Sequence, residues 1–264
     1  MIKNYISKIF LAIEISRNFK TFLNLIINSK KYSGQFKKNI IDAGDLSSEN
    51  YQMKISQKKI DILMRTYKGD INIFYEIFWK KVYAIPPDFV QNPLTIIDLG
   101  GHVGFTSIYY SLQYPNAKIF SVEASRENFN ILQSNVRQFE NIIPINKAIY
   151  PIDGEVLFDE SGFSYNTKIS NVGKPIESVS VNTLMKTYGF DNIDLMKIDI
   201  EGAESELLKT NTEWLEKTDT IIIELHNPYG LGDLEKDLEP FGFKIINPTE
   251  ENNLQNILAV KNKI

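Results

Sequence analysis

The sequence predicts an α/β fold: a doubly wound, mostly parallel sheet ending in an antiparallel C-terminal hairpin, with a helical N-terminal extension in front. Three observations carry that expectation. From Leu94 onward, short apolar runs alternate with helical stretches, as in a parallel sheet covered on both faces. The first run, Thr95 to Leu99, enters the glycine-rich turn Asp98-Leu-Gly-Gly-His-Val-Gly104. The last two, Phe243 to Ile246 and Asn256 to Lys261, leave no room for a crossover helix and therefore pair antiparallel at an edge.

Residues 1–50 form a basic helical extension, with the apolar positions of 2–13 and 19–27 at helical spacings and Lys and Arg between them. The polar stretch Asp42 to Asn50 punctuates it. Residues 51–93 form a lead-in of strand and helix, Ile55 to Arg65 and Ile71 to Tyr83 around Lys68-Gly-Asp70, closed by Pro86-Pro87 and Pro93. The domain 94–264 follows. After Thr95 to Leu99 come a helix from Phe105, a strand Lys118 to Glu123, and the helix Ser125 to Phe139, whose Phe129, Leu132 and Val136 recur at helical spacing. Ile142 to Ile145 is the third strand. Asp153-Gly154 reads as a hairpin turn between Lys147 to Ile152 and Glu155 to Phe158. Asp194 to Ile200 is the fourth core strand, Ala203 to Leu215 a helix, and Thr220 to His226 the fifth strand.

At 264 residues and 43% hydrophobic content the chain can bury one sizeable core. The net charge of -4 excludes a dedicated nucleic-acid binder, which needs clustered Lys and Arg over a whole face. Cysteine is absent, so thiol nucleophiles, disulfides and Cys-ligated metals are excluded. Glu14 and Arg17 interrupt the N-terminal apolar run, and no uncharged stretch approaches the ~20 residues that cross a bilayer. A cytoplasmic protein is expected. Residues 1–41 nevertheless carry eight Lys/Arg against Glu14 alone. Such helices suit packing on the protein's own core, a homo-oligomer contact, or peripheral contact with the inner membrane surface.

In the loop after the first core strand, glycines allow left-handed backbone and close approach of a ligand, and the helix behind adds amide donors. A dinucleotide site shows G-x-G-x-x-G. Here Gly100, Gly101 and Gly104 follow Asp98 in the D-x-G-x-x-x-G form of methyltransferases. S-adenosylmethionine has no phosphate and carries an ammonium, so Asp98 suits it better than a pyrophosphate. Glu123 ends the second strand, where a carboxylate accepts both ribose hydroxyls of an adenosine ligand. With Phe105 and Ala124 it completes the expected cofactor set, and Asn146, ending the third strand, is placed to touch adenine. An NAD-dependent oxidoreductase shares this fold and this acid, and a non-catalytic nucleoside-binding protein would keep both.

The chain resembles the FkbM family of methyltransferases in Ile97-Asp-Leu-Gly-Gly-His-Val-Gly-Phe105, Val122-Glu-Ala124, Lys147-Ala-Ile149 and Asp153-Gly-Glu-Val156. The most distinctive part is Ile193-Asp-Leu-Met-Lys-Ile-Asp-Ile-Glu-Gly-Ala-Glu204, followed by Ile223-Glu-Leu-His226. The resemblance spans about residues 70 to 260; Arg65, Tyr75 and Tyr83 match less specifically, and Ala124 stands where many relatives carry Pro. It implies a class I methyltransferase fold, S-adenosylmethionine as donor with S-adenosylhomocysteine as product, and O-methylation of a sugar, glycan or other small-molecule acceptor, with peptide N-methylation known in some members.

Asp199 closes the fourth strand beside the expected sulfonium, because ligands of open α/β sheets sit beyond the carboxyl ends of the strands. Asp199 and Glu201, two apart, share a face of an extended backbone with Lys197, which reads equally as a salt-bridge partner or a substrate contact. Transfer to a hydroxyl needs a proton acceptor. Asp199, Glu201 and His226 are the candidates, with His226 and Asp199 ranked first because an imidazole of ordinary pKa is a natural base at neutral pH. Glu204 reads as a first-turn helix acid and His102 as a loop residue. No metal is required, although Asp199, Glu201, Glu224 and His226 form a donor set able to take a divalent cation.

Overall fold

The computed structural model describes residues 2–36, 48–66, 68–159, 168–169, 173–249 and 254–261. Most of the expected polar break at Asp42–Asn50 lies outside the described residues, as do positions 37–41 of the basic segment. Helices α1 (Ile2–Ile15) and α2 (Phe19–Phe36) pack on an antiparallel hairpin, β1 (Ser48–Ile55) and β2 (Lys58–Arg65). α3 (Asp70–Tyr75) follows and continues into a wider π turn, Glu76–Lys80.

The main sheet begins with β3 (Thr95–Leu99), helix α4 (Phe105–Gln113), β4 (Lys118–Val122), α5 (Arg126–Val136) and β5 (Ile142–Ile145). Ser125 caps α5 through its hydroxyl. A separate small sheet follows, from β6 (Ala148–Ile149), β7 (Gly154–Asp159), β8 (Lys168–Ile169) and β9 (Lys174–Val179). Then come α6 (Val181–Tyr188), β10 (Leu195–Ile198), α7 (Glu204–Lys209), β11 (Thr220–Ile223), α8 (Leu231–Leu238), β12 (Phe243–Ile246) and β13 (Ile257–Lys261).

The seven-stranded sheet runs β12-β13-β11-β10-β3-β4-β5. β11, β10, β3, β4 and β5 are parallel, and β13 is antiparallel to both its neighbours. This is the doubly wound arrangement with a C-terminal antiparallel hairpin that the alternating runs predict. Every residue of β10 and β11 is buried, because helices cover both faces. Alternation divides each strand between two cores: Ile96, Ile119, Leu195 and Ile222 face one, while Ile97, Phe120, Met196 and Ile223 face the other.

Several elements differ from expectation: β1 begins inside the expected helical extension, and the fourth and fifth core strands end early, at Ile198 and Ile223. The runs flanking Asp153-Gly154 do not pair with each other; β6 joins β9 in parallel and β7 joins it antiparallel. Asp153 is engaged elsewhere, its carboxylate accepting from the Ser180 amide and the Thr183 hydroxyl at the start of α6. The expected helix 203–215 stops at Lys209 and resumes as a 3-10 turn, Glu213–Lys217, because Asn211 takes a left-handed conformation between two threonines.

Candidate functional site

The glycine loop is held from below. The amides of Gly100 and Gly101 donate to Val122 O at the end of β4. Gly100 adopts φ +77, and a Cβ there would lie 1.8 Å from the backbone oxygen of Asp199, so β10 and the loop approach closer than any side chain permits. Lys197, 2% exposed, sits in the gap and donates to Gly100 O (2.7 Å) and Leu99 O (3.2 Å). It also lies 3.4 Å from Asp98 Oδ1 and 3.3 Å from Asp199 Oδ2. Burial pushes its ammonium toward neutrality, but the two carboxylates outweigh that and hold its pKa above the ordinary lysine value. Of the two readings open for Lys197, the geometry shows the salt bridge.

Beyond the loop opens a cleft of about 660 Å³, the open space at its mouth included. Gly100, His102, Glu123 and Ala124 line one side, and Ile149, Phe158 and Ile169 of the small sheet line the other. Glu123 accepts from the amides of His102 (2.8 Å) and Ser125 (2.8 Å). Burial nevertheless raises its pKa to about 7. Its Oε2, with the His102 amide as its described donor, retains a lone pair, so the chemistry of the site fits a ligand hydroxyl. His102 is partly buried, and desolvation lowers its pKa to about 4; its ring is neutral at physiological pH.

Other expected cofactor residues take supporting places. Asp98 does not reach the cleft: it is fully buried behind the loop, where it meets Lys197 and accepts from the Ser107 hydroxyl at 2.6 Å. Asn146 points its amide at Glu123 O and Ala124 O and accepts from Arg126, fixing the end of β4. Gly104, at φ +89, precedes the first turn of α4. Gly101 and Phe105 line a second cavity of about 620 Å³, which shares Gly100, His102, Asp199 and Glu201 with the first.

That shared wall carries the acid cluster. β10 ends at Ile198, so Asp199 and Glu201 are not on an extended strand as expected; Glu201 takes φ +53 and Gly202 φ +103. A left-handed non-glycine residue costs on the order of 1–3 kcal/mol, and here it turns the Glu201 carboxylate to 3.5 Å from His226 Nε2. Asp199 Oδ1 lies 3.9 Å from the same nitrogen. His226 Nδ1 lies 2.8 Å from Glu204 Oε1, and Glu204 is fully buried. This bond, with the charges of Glu201 and Asp199 against some desolvation, raises the His226 pKa to about 9. The imidazole is therefore a cation at neutral pH, and the expectation of a neutral base with ordinary pKa is corrected. Glu201, partly desolvated and beside Asp199, is raised to about 7. Asp199, Glu201 and His226 also offer ligand atoms within 4.8 Å of one another, a spacing able to hold a cation.

Tyr83, Glu224 and Glu204 are site residues that the sequence did not reveal in these roles. The Tyr83 hydroxyl lies 2.8 Å from Asp199 Oδ2 and 2.9 Å from Glu224 Oε2. One hydroxyl has one proton, so both contacts are hydrogen bonds when Glu224 is itself protonated. Partial desolvation and the neighbouring Asp199 raise the Glu224 pKa, which favours that state. Tyr83 sits 116 residues from Asp199, outside any local motif. The lead-in reaches the cofactor side too: Arg65 pairs with buried Asp70 at 2.8 Å and donates to Asn128 and Glu127 of α5.

Comparison with known proteins matches residues 98–245 to the methyltransferase FkbM domain. Methyltransferase sdnD of Sordaria araneosa is 26% identical over 214 residues, covering 66% of this chain and 82% of that protein. The hexuronic acid methyltransferase AglP of Haloferax volcanii is 27% identical over 133 residues, 49% of this chain and 54% of its own. Among solved structures, the Methanococcus jannaschii fibrillarin pre-rRNA processing protein aligns over 84% of this chain and 86% of that one, at 13% identity and TM-score 0.45. The domain match spans more than half of the sequence and includes the glycine loop, Glu123, Asp199, Glu201 and His226: the chain belongs to the FkbM family of methyltransferases.

Proposed function

We propose that this methyltransferase uses S-adenosylmethionine and methylates a hydroxyl oxygen of a sugar, glycan or secondary metabolite. The observation that carries this reading is Glu201: it lines both cavities, and its pKa of about 7 matches a general base at neutral pH. The sulfonium donor supplies an electrophilic methyl group. Glu123 and the amide-rich loop would hold the nucleoside end, with Ile149 and Phe158 packing beside it. Glu201 would take the acceptor hydroxyl's proton, ending as a neutral carboxyl, while the methyl–sulfur bond electrons stay on sulfur and the donor leaves as S-adenosylhomocysteine. Asp199, fixed by Lys197 and Tyr83, keeps the reacting hydroxyl aligned, and the His226 cation, fixed by Glu204, balances the charge on Glu201. The sugar acceptor draws support from AglP, whose name states a hexuronic acid methyltransferase.

The test is incubation of the purified chain with methyl-labelled S-adenosylmethionine and glycan or metabolite extracts, with mass spectrometry of what becomes labelled. A base-stable ether label is expected. No calorimetric binding of S-adenosylmethionine or S-adenosylhomocysteine overturns the donor assignment, and a rise of the unfolding midpoint with NADH alone favours the oxidoreductase alternative.

A further inference from the structure

Nine large hydrophobic side chains stand exposed among the described residues, and six of them lie on the two N-terminal helices. On α1 they are Ile6 (46%), Phe10 (66%) and Ile13 (58%), spaced four and three apart; on α2, Phe19 (72%), Leu23 (38%) and Ile27 (45%), spaced four apart. Each set forms one stripe along its helix. The opposite sides are already used. Ala12, Ile15 and Leu25 are buried in the core, Asn28 donates to the Tyr51 hydroxyl at 2.6 Å, and Ser29 donates to the Tyr75 hydroxyl at 3.1 Å. The stripes therefore cannot turn inward without breaking these contacts.

Lys20, Lys30 and Lys31 are exposed on α2, and residues 2–36 contain six Lys/Arg against one acid, although the whole chain is acidic. No helix among the described residues is long and apolar enough to cross a membrane. We propose that α1 and α2 dock this protein on an anionic lipid surface, with Phe10 and Phe19 entering the acyl boundary and the lysines meeting the headgroups. Charge selects lipid over a second copy of the chain: a two-fold pairing would set the same basic rims against each other, whereas anionic headgroups neutralise them. The docking helices adjoin the site. Lys8 of α1 lies over the rings of Tyr75 and Trp79, while Ile73, Glu76 and Ile77 of the same segment line the second cavity. The proposal does not depend on the methyl donor or acceptor.

Flotation of the full chain with phosphatidylcholine vesicles, with and without phosphatidylglycerol, tests it. The protein should float only with the anionic vesicles and should detach as salt is raised. Replacing Phe10→Ser and Phe19→Ser together should weaken flotation on the order of tenfold or more, with far-UV circular dichroism and the unfolding midpoint unchanged. Should that variant fail to fold, Lys30→Glu with Lys31→Glu should give the same loss. Equal flotation with neutral vesicles, no flotation, or full retention by either folded variant overturns the proposal. So does a concentration-dependent dimer in light scattering that the Phe substitutions dissociate.

Discussion

His226 Nδ1 and Glu204 Oε1 lie 2.8 Å apart, joining the segment just beyond β11 to a carboxylate fully buried at the start of α7. The pair makes His226 a cation well above neutral pH. Because the folded pKa of about 9 lies above the unfolded value, its contribution to stability is complete below about pH 6.5 and lost as pH rises through about 9. In Glu204→Gln the His226 titration followed by NMR should fall toward about 6.5. The loss of stability assigned to this residue should move to lower pH with it. An unchanged titration would show that Glu204 is not the cause.

Glu201→Gln should lower kcat by on the order of 10²–10⁴-fold while S-adenosylmethionine affinity changes little, since the residue is assigned to proton transfer. The wild-type rate should rise with pH through about 7 as Glu201 ionises, and the variant should lose that limb. If Glu201→Gln retains full turnover while His226→Ala or Asp199→Asn abolishes it, the base lies elsewhere in the cluster.

Glu123 is raised to about 7 by burial, and in the proposed ribose role its carboxylate accepts from a donor hydroxyl best when ionised. Donor affinity measured by calorimetry should therefore weaken as pH falls below about 7, and binding near that pH should release a proton. Glu123→Gln should bind more weakly at high pH and show a flat profile. A pH-independent affinity in the wild type refutes the ribose role.

Gly100→Ala sets a Cβ against Asp199 O in a left-handed backbone. The strain alone costs on the order of 1–3 kcal/mol, and relief must part the loop from β10. A lower unfolding midpoint and weaker donor binding are expected together; a variant as stable as wild type would show that the loop is less tightly held.

Asp199, Glu201 and His226 have the spacing of cation ligands, but Lys197 and the His226 imidazolium already supply positive charge there. Turnover should be undiminished by a strong chelator. Loss of activity restored by a divalent cation would overturn this.

The succession of core strands along the chain, the glycine loop and the edge hairpin were legible in the sequence because each is a local pattern: buried runs of fixed length, glycine spacing, and a connection too short for a helix. Glu123 was legible for the same reason, standing at the end of a recognisable strand. The hairpin misread at Asp153-Gly154 shows where local patterns stop, since a long-range bond to Ser180 and Thr183 decides what that turn does. The proton affinities within the acid cluster were likewise set only by tertiary structure. Glu201 and His226 have ordinary pKa values as isolated side chains; burial beside Asp199 raises the first, and a contact with Glu204 across 22 residues raises the second. Tyr83 reaches Asp199 only when the lead-in folds over the sheet, and proton affinity depends on such neighbours, which no spacing in the chain encodes.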